Sequence, residues 1–231
     1  MTTLTSPIVK PRAALDEIRA FGEFVEPVDA RATVIFVHGC GSARHSKHDR
    51  YLAGYLNCHG FGTVLLDVLT PREEAVDVQS AAYRSNVELL AHRLIAASDK
   101  IANLYEPDLP IVYVGVGAGA AAALIAAARR PGYVKAVICR SGLPDLADPE
   151  LRSVRAPTLL LIGGNESKAG LESNQRAQVR LECEHELLTI RGASHSFEEP
   201  GTIDKVARAM FQWLDRRVPP APITLAGSAV M

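Results

Sequence analysis

The segment Ile111-Val-Tyr-Val-Gly-Val-Gly-Ala-Gly119 has the pattern of a buried strand that turns sharply into an Ala-rich helix. A strand-turn-helix junction of the form G-x-S-x-G lifts a serine or cysteine into position to attack an acyl carbon. Here the junction reads Gly115-Val116-Gly117-Ala118-Gly119, so its backbone signal is intact and the reactive side chain is missing. A nucleophile held in such a turn carries strained backbone angles, whereas glycine adopts positive φ with little penalty. Gly117 therefore relaxes the turn as it disarms it. The N-H of Ala118 still opens the following helix and can donate to developing negative charge.

Three other strand ends complete the pattern. His38-Gly39-Cys40-Gly41-Ser42 is an H-G-x-G turn that can aim the Cys40 N-H as a second oxyanion donor, with Gly39 shaping the turn. Gly163-Gly164-Asn165-Glu166 places a carboxylate where it can orient a histidine. Gly192-Ala193-Ser194-His195 supplies that histidine, which yields the chain order nucleophile position, acid, base. Taken singly, each is an ordinary loop residue; the ordered set raises them to a site. Cys40, Cys139, Ser141 and Ser194 are remote candidates for the missing group. Arg44, His45, Lys47, His48 and Arg50 form a basic cluster after the first turn. Arg44 there and Arg140 at a later strand end are possible contacts for an anionic ligand. The histidines lack paired metal-ligand spacing, so no metal is expected. Gly115-x-Gly117-x-x-Ala120 also satisfies a dinucleotide fingerprint, though without an acidic ribose partner at the next strand end.

These residues must be positioned by five short apolar runs, at 33–37, 63–69, 111–116, 135–139 and 158–162, with a weaker sixth at 186–190. They do not alternate with polar residues, as expected of strands buried on both faces of a parallel sheet. Helical patterns fall between them, at 48–58, 80–106, 118–130, 167–179 and 202–217. This alternation predicts a mostly parallel, doubly wound α/β sheet, with an antiparallel edge strand at 21–25. The 18 residues between the runs ending at 139 and starting at 158 leave no room for a lid domain. One domain is expected over 1–217, followed by a loose Pro- and Ala-rich tail at 218–231.

A net charge of −1 gives no drive toward nucleic acid or anionic membrane. Isolated cysteines, no signal-peptide pattern in residues 1–12 and no bilayer-length apolar run predict a cytoplasmic protein with reduced thiols.

On these motifs, together with Thr63–Pro71, Arg140–Ala147 and Arg155–Gly164, the chain resembles the α/β-hydrolase superfamily, specifically small lidless dienelactone-hydrolase-like proteins, from about residue 32 to 214. The resemblance implies hydrolysis of esters, lactones or related acyl bonds. It implies His195 as base, Glu166 as acid where aspartate is more usual, and Cys40 and Ala118 as oxyanion donors. Gly117 departs from the family's nucleophile. The elbow is also similar to that of the N-myc downstream-regulated proteins, which share the fold and are thought to lack hydrolase activity. Three expectations follow. The first is a cofactor-free binder of a small carbonyl or carboxylate compound, or of a protein partner. The second is an enzyme using His195 as general base without an acyl-enzyme, and the third, weakest, is a dinucleotide-binding protein.

Overall fold

The computed structural model describes residues 22–27, 29–39, 43–104 and 109–220. Seven strands form one sheet: β1 (Gly22–Val25), β2 (Thr33–His38), β3 (Gly62–Leu66), β4 (Ile111–Gly117), β5 (Val134–Gly142), β6 (Thr158–Gly163) and β7 (His185–Ile190). Their order across the sheet is β1-β3-β2-β4-β5-β6-β7, and only β1 runs antiparallel, pairing with β3.

The absence of polar alternation in the strands has a direct cause. Ile35 and Val37 of β2 enter the core under α3 (Val87–Leu104), α4 (Ala118–Arg129) and α5 (Lys168–Arg180). Val34 and Phe36 enter the opposite core, under α1 (Lys47–Asn57) and α6 (Thr202–Asp215). Successive side chains of a strand point to opposite faces, so a sheet covered on both sides demands apolar residues at every position. The doubly wound architecture and the edge strand stand as expected, with Phe21 itself outside the described residues. Only two short 3-10 helices, Pro144–Ala147 and Glu150–Ser153, separate β5 from β6.

Several boundaries shift, β5 among them, which runs on to Gly142. β3 stops at Leu66, not at residue 69, because the chain leaves the sheet to start α2 (Pro71–Ser80), a helix the apolar periodicity does not reveal. Its start is nonetheless written in the sequence. The Thr70 hydroxyl accepts from the Glu73 N-H, the Glu73 carboxylate accepts from the Thr70 N-H, and Pro71 occupies the first turn. The helix read as starting at residue 80 consequently starts at Val87, and its reading to 106 passes into undescribed residues. At the other end Val218, assigned by sequence to the tail, is buried, and its carbonyl accepts from the Arg31 guanidinium at 2.9 Å.

No helix among the described residues is long and apolar enough to cross a membrane.

Candidate active site

The junction at Gly117 has the geometry its spacing predicts. Gly117 ends β4 and caps α4 at φ 60°, ψ −128°, a region where an L side chain is strained. Among the described residues, a Cβ added there would find no heavy atom within 4 Å beyond its chain neighbours. Those residues leave the space of a nucleophile open. Gly39 packs directly against this turn: a Cβ on it would lie 2.6 Å from the Ala118 Cβ. Its N-H donates to the Val116 carbonyl at 3.2 Å, so Gly39 acts by packing and not as a free donor. Cys40, the expected oxyanion donor, lies outside the described residues. The N-H of Ala118 is at the first position of α4, among those that an α-helix leaves without an intrahelical acceptor.

His195 and Glu166 meet. His195 Nδ1 lies 3.1 Å from both carboxylate oxygens of Glu166. The Glu166 side chain is only 4% exposed, whereas that of His195 is 61% exposed. An Nδ1-H donated to the carboxylate leaves Nε2 with the lone pair a general base uses. Glu166 is held from several sides. The Ser167 N-H donates to Oε1 at 2.9 Å, and a Cβ at position 170, in the first turn of α5, would lie 2.7 Å from Oε1. The two loops are stitched together by Gly164 N-H to the Ile190 carbonyl at 2.8 Å and Asn165 N-H to the Ala193 carbonyl at 2.9 Å. The histidine loop carries its own brace. Glu199 accepts from the Ser194 N-H at 2.9 Å, and that bond holds its carboxyl below the ordinary range.

A buried charge cluster, absent from the sequence reading, lies beneath the site. Asp49 of α1 bonds His38 Nε2 with one oxygen and receives Arg140 Nη2 at 2.7 Å on the other. Burial pushes the Asp49 carboxyl up, but the His38 hydrogen bond and the Arg140 charge outweigh it and hold it below the ordinary carboxylate range. Arg140 also reaches the histidine loop: its guanidinium carbon is 6.0 Å from the Phe197 ring centre. Its backbone is in register with Val116, one residue before Gly117. One arginine thus touches the base loop and, through Asp49, the residue before Gly39. Arg140 is only 4% exposed and pairs with Asp49, so it acts as an internal tie. Arg44, the other expected contact, is paired with Asp67 at the end of β3. The only sequence signal for Asp49 was Ser46-x-x-Asp49, in which the Ser46 hydroxyl caps α1 by accepting from the Asp49 N-H.

The substitute nucleophiles fare poorly. Cys139 is fully buried and its thiol is pushed far up by that burial, the opposite of an activated cysteine. Ser141 sits where the β4–β5 register slips, between Val116–Arg140 and Gly117–Gly142. It is buried, has φ 44°, and its hydroxyl has no hydrogen-bond partner. Both features cost free energy. Ser141→Gly is therefore expected to stabilise the fold by about 1 kcal/mol. A urea midpoint unchanged or lowered in that variant would show that the hydroxyl is satisfied in solution. The dinucleotide-like spacing has a packing origin: a Cβ on Gly115 would lie 2.5 Å from the Ala120 Cα, so the strand meets the helix too closely for any side chain.

A Gly-bearing elbow after the central strand and a Glu-His pair on later strand ends, in this chain order on a doubly wound sheet, define an α/β-hydrolase. The chain is 40% identical to a dienelactone hydrolase from Anabaena variabilis of known crystal structure, over 85% of this chain and 91% of that one, with a TM-score of 0.79. It belongs to the dienelactone hydrolase family of that superfamily. Est1E from Butyrivibrio proteoclasticus (14% identity, TM-score 0.69) and a dienelactone hydrolase-like promiscuous phosphotriesterase from metagenomic libraries (16%, 0.67) share the fold. They cover 85% of this chain, which in turn covers 93% and 92% of theirs. The chain is also 44% identical, over 87% of its length, to proteins of two Mycobacterium tuberculosis strains named as phosphoribosyl transferases. It spans 45% of those proteins, less than half their length. No protein-family model matches the chain.

Proposed function

We propose that this chain is a pseudoenzyme of the dienelactone hydrolase family, which binds a small carbonyl or carboxylate compound at the vacated elbow. The observation that carries this is Gly117: its backbone keeps the elbow conformation, and open space replaces the nucleophile in front of the α4 N-terminus. A helix N-terminus with unpaired amides accepts a carboxylate or a polarised carbonyl oxygen. Carboxylate titration of the ¹⁵N-labelled protein, followed by NMR, is expected to give a saturable shift of the Ala118 amide. Gly117→Asn, which tolerates positive φ while filling the space, should abolish it. An Ala118 amide indifferent to acetate and to 4-phenylbutyrate sinks the proposal.

The ordered Glu166–His195 pair favours a second reading, in which His195 activates water or removes a substrate proton without an acyl-enzyme. Wild-type turnover of an ester or lactone that disappears in His195→Ala would establish it in place of the first. The mycobacterial relatives named as phosphoribosyl transferases share with this chain only 45% of their length, so that activity is not carried over to it. A cytoplasmic setting is supported by the singly spaced free cysteines Cys58, Cys139 and Cys183.

A further inference from the structure

The elbow is bordered on one side by exposed leucines. Leu143 follows Gly142, the β5 partner of Gly117, and its N-H donates to the Gly117 carbonyl at 3.2 Å. Its side chain is 40% exposed. Leu146 is 46% exposed and lies three residues on, with its N-H bonded to the Leu143 carbonyl. Leu143 precedes the 3-10 helix Pro144–Ala147 and Leu146 lies within it, one turn on. Leu171, 37% exposed, follows Gly170, which packs on Glu166. It also lies one turn before Asn174, whose side-chain amide donates to the Gly142 carbonyl at 3.1 Å. Leu143 thus adjoins the elbow, and Leu171 is next in the chain to the glycine that packs on Glu166.

The shelf they form is rigid. Asp145 bonds the Ser173 hydroxyl and the Arg176 guanidinium, the latter at 2.8 Å, and Asp148 holds Arg180 at 2.9 Å. These bonds clamp the 3-10 helix to α5 while leaving the leucines bare. Exposed apolar side chains locked in place beside an open polar site are the usual make-up of a ligand pocket: apolar walls with a few convergent polar groups.

We infer that the shelf of Leu143, Leu146 and Leu171 receives the apolar body of the ligand, so that the preferred compounds are aryl- or alkyl-substituted carboxylates or carbonyls and not small polar ones. This rests on the binding reading above. A different apolar space, a cavity of about 330 Å³ bounded by Leu66, Val68, Leu69, Ala97 and Ile101, lies at the end of β3 against α3. β2 separates that strand from β4, whereas the shelf bonds Gly117 directly.

The test uses acetate and 4-phenylbutyrate as probes, with the Ala118 amide and calorimetry as readouts. 4-Phenylbutyrate is expected to bind wild type at least about tenfold tighter than acetate. That ratio equals about 1.4 kcal/mol, or roughly 55 Å² of apolar surface removed from water. In Leu146→Ser/Leu171→Ser the advantage should fall below about threefold while acetate affinity is unchanged. Both positions are exposed, so the fold is retained. Ala97→Phe, which fills the β3 cavity, should alter neither ligand. Equal affinity of the two ligands in wild type, with Ala118 still responding to acetate, overturns the shelf and leaves the binding site standing. An advantage lost in Ala97→Phe and kept in the leucine variant also overturns it. Silence of Ala118 toward both ligands removes the binding reading, and the shelf with it.

Discussion

Gly117→Ser is expected to hydrolyse an activated ester such as 4-nitrophenyl acetate at least about 100-fold faster than wild type. A positioned general base contributes about 10²–10⁴-fold, and the base is already positioned. His195 Nδ1 is anchored at 3.1 Å from each oxygen of Glu166, on a loop whose Phe197 reaches Arg140 beside the elbow. The serine side chain would enter space in which the described residues place no heavy atom within 4 Å of its Cβ beyond the chain neighbours, so none of them must move. The Ala118 N-H is placed at the α4 N-terminus to meet the oxyanion. The cost is conformational, because a residue with a Cβ at φ 60°, ψ −128° is strained by about 1–3 kcal/mol. The variant should therefore be less stable by about that amount while it gains activity, and adding His195→Ala should remove the gain. A folded Gly117→Ser variant that stays at wild-type rates would mean that the base and acid, though paired, are not directed at position 117.

The second large effect concerns the cluster beneath the site. Asp49→Ala leaves the Arg140 guanidinium, 4% exposed, without its carboxylate. Removing one partner of a buried ion pair costs about 3–5 kcal/mol, a large share of the 5–15 kcal/mol that holds a typical domain folded. Asp49→Leu/Arg140→Met, which removes both charges, should recover most of the loss, since the pair itself adds little over apolar packing. Urea unfolding distinguishes the outcomes, and a cost below about 1 kcal/mol for Asp49→Ala would show that water reaches Arg140. The same bond sets a pH dependence. The Asp49 carboxyl is lower in the folded protein than in the unfolded chain, so its stabilisation is complete above roughly pH 4 and is lost as pH falls through the folded value. In Asp49→Ala that acid-side loss should be smaller. Gly39 follows His38 and packs on Ala118, so the variant should also disturb the elbow where Gly39 meets it.

Where sequence reading succeeded, the cause is local. A strand covered on both faces must be apolar throughout, so β2, β4 and β6 announced themselves without reference to distant residues. Gly117, Glu166 and His195 were found because each follows a strand at its carboxyl end, where open α/β sheets place their sites. The helix α2 was missed although its capping box was written at Thr70 and Glu73: it buries too little apolar surface to leave a periodic signal, with Asp77 its one buried residue. The partner of Arg140 is not legible in the sequence for a different reason. Nothing near it in sequence reveals that Asp49, 91 residues away, lies within hydrogen-bonding distance.

The sequence by itself determined the order of the strands along the chain, the glycine at position 117 of the strand-turn-helix junction, and the carboxylate and imidazole side chains at two later strand ends. These follow from burial, from strand periodicity and from the chemistry of single side chains, all readable over a few neighbouring positions. Only the tertiary structure decided that Glu166 and His195 share a hydrogen bond across 29 residues, that Asp49 and Arg140 neutralise each other under the elbow, and that Leu143 and Leu171 face outward beside it. Such contacts join parts of the chain far apart in sequence. The free energy that selects them is the shared burial of both sheet faces, which no local stretch carries alone.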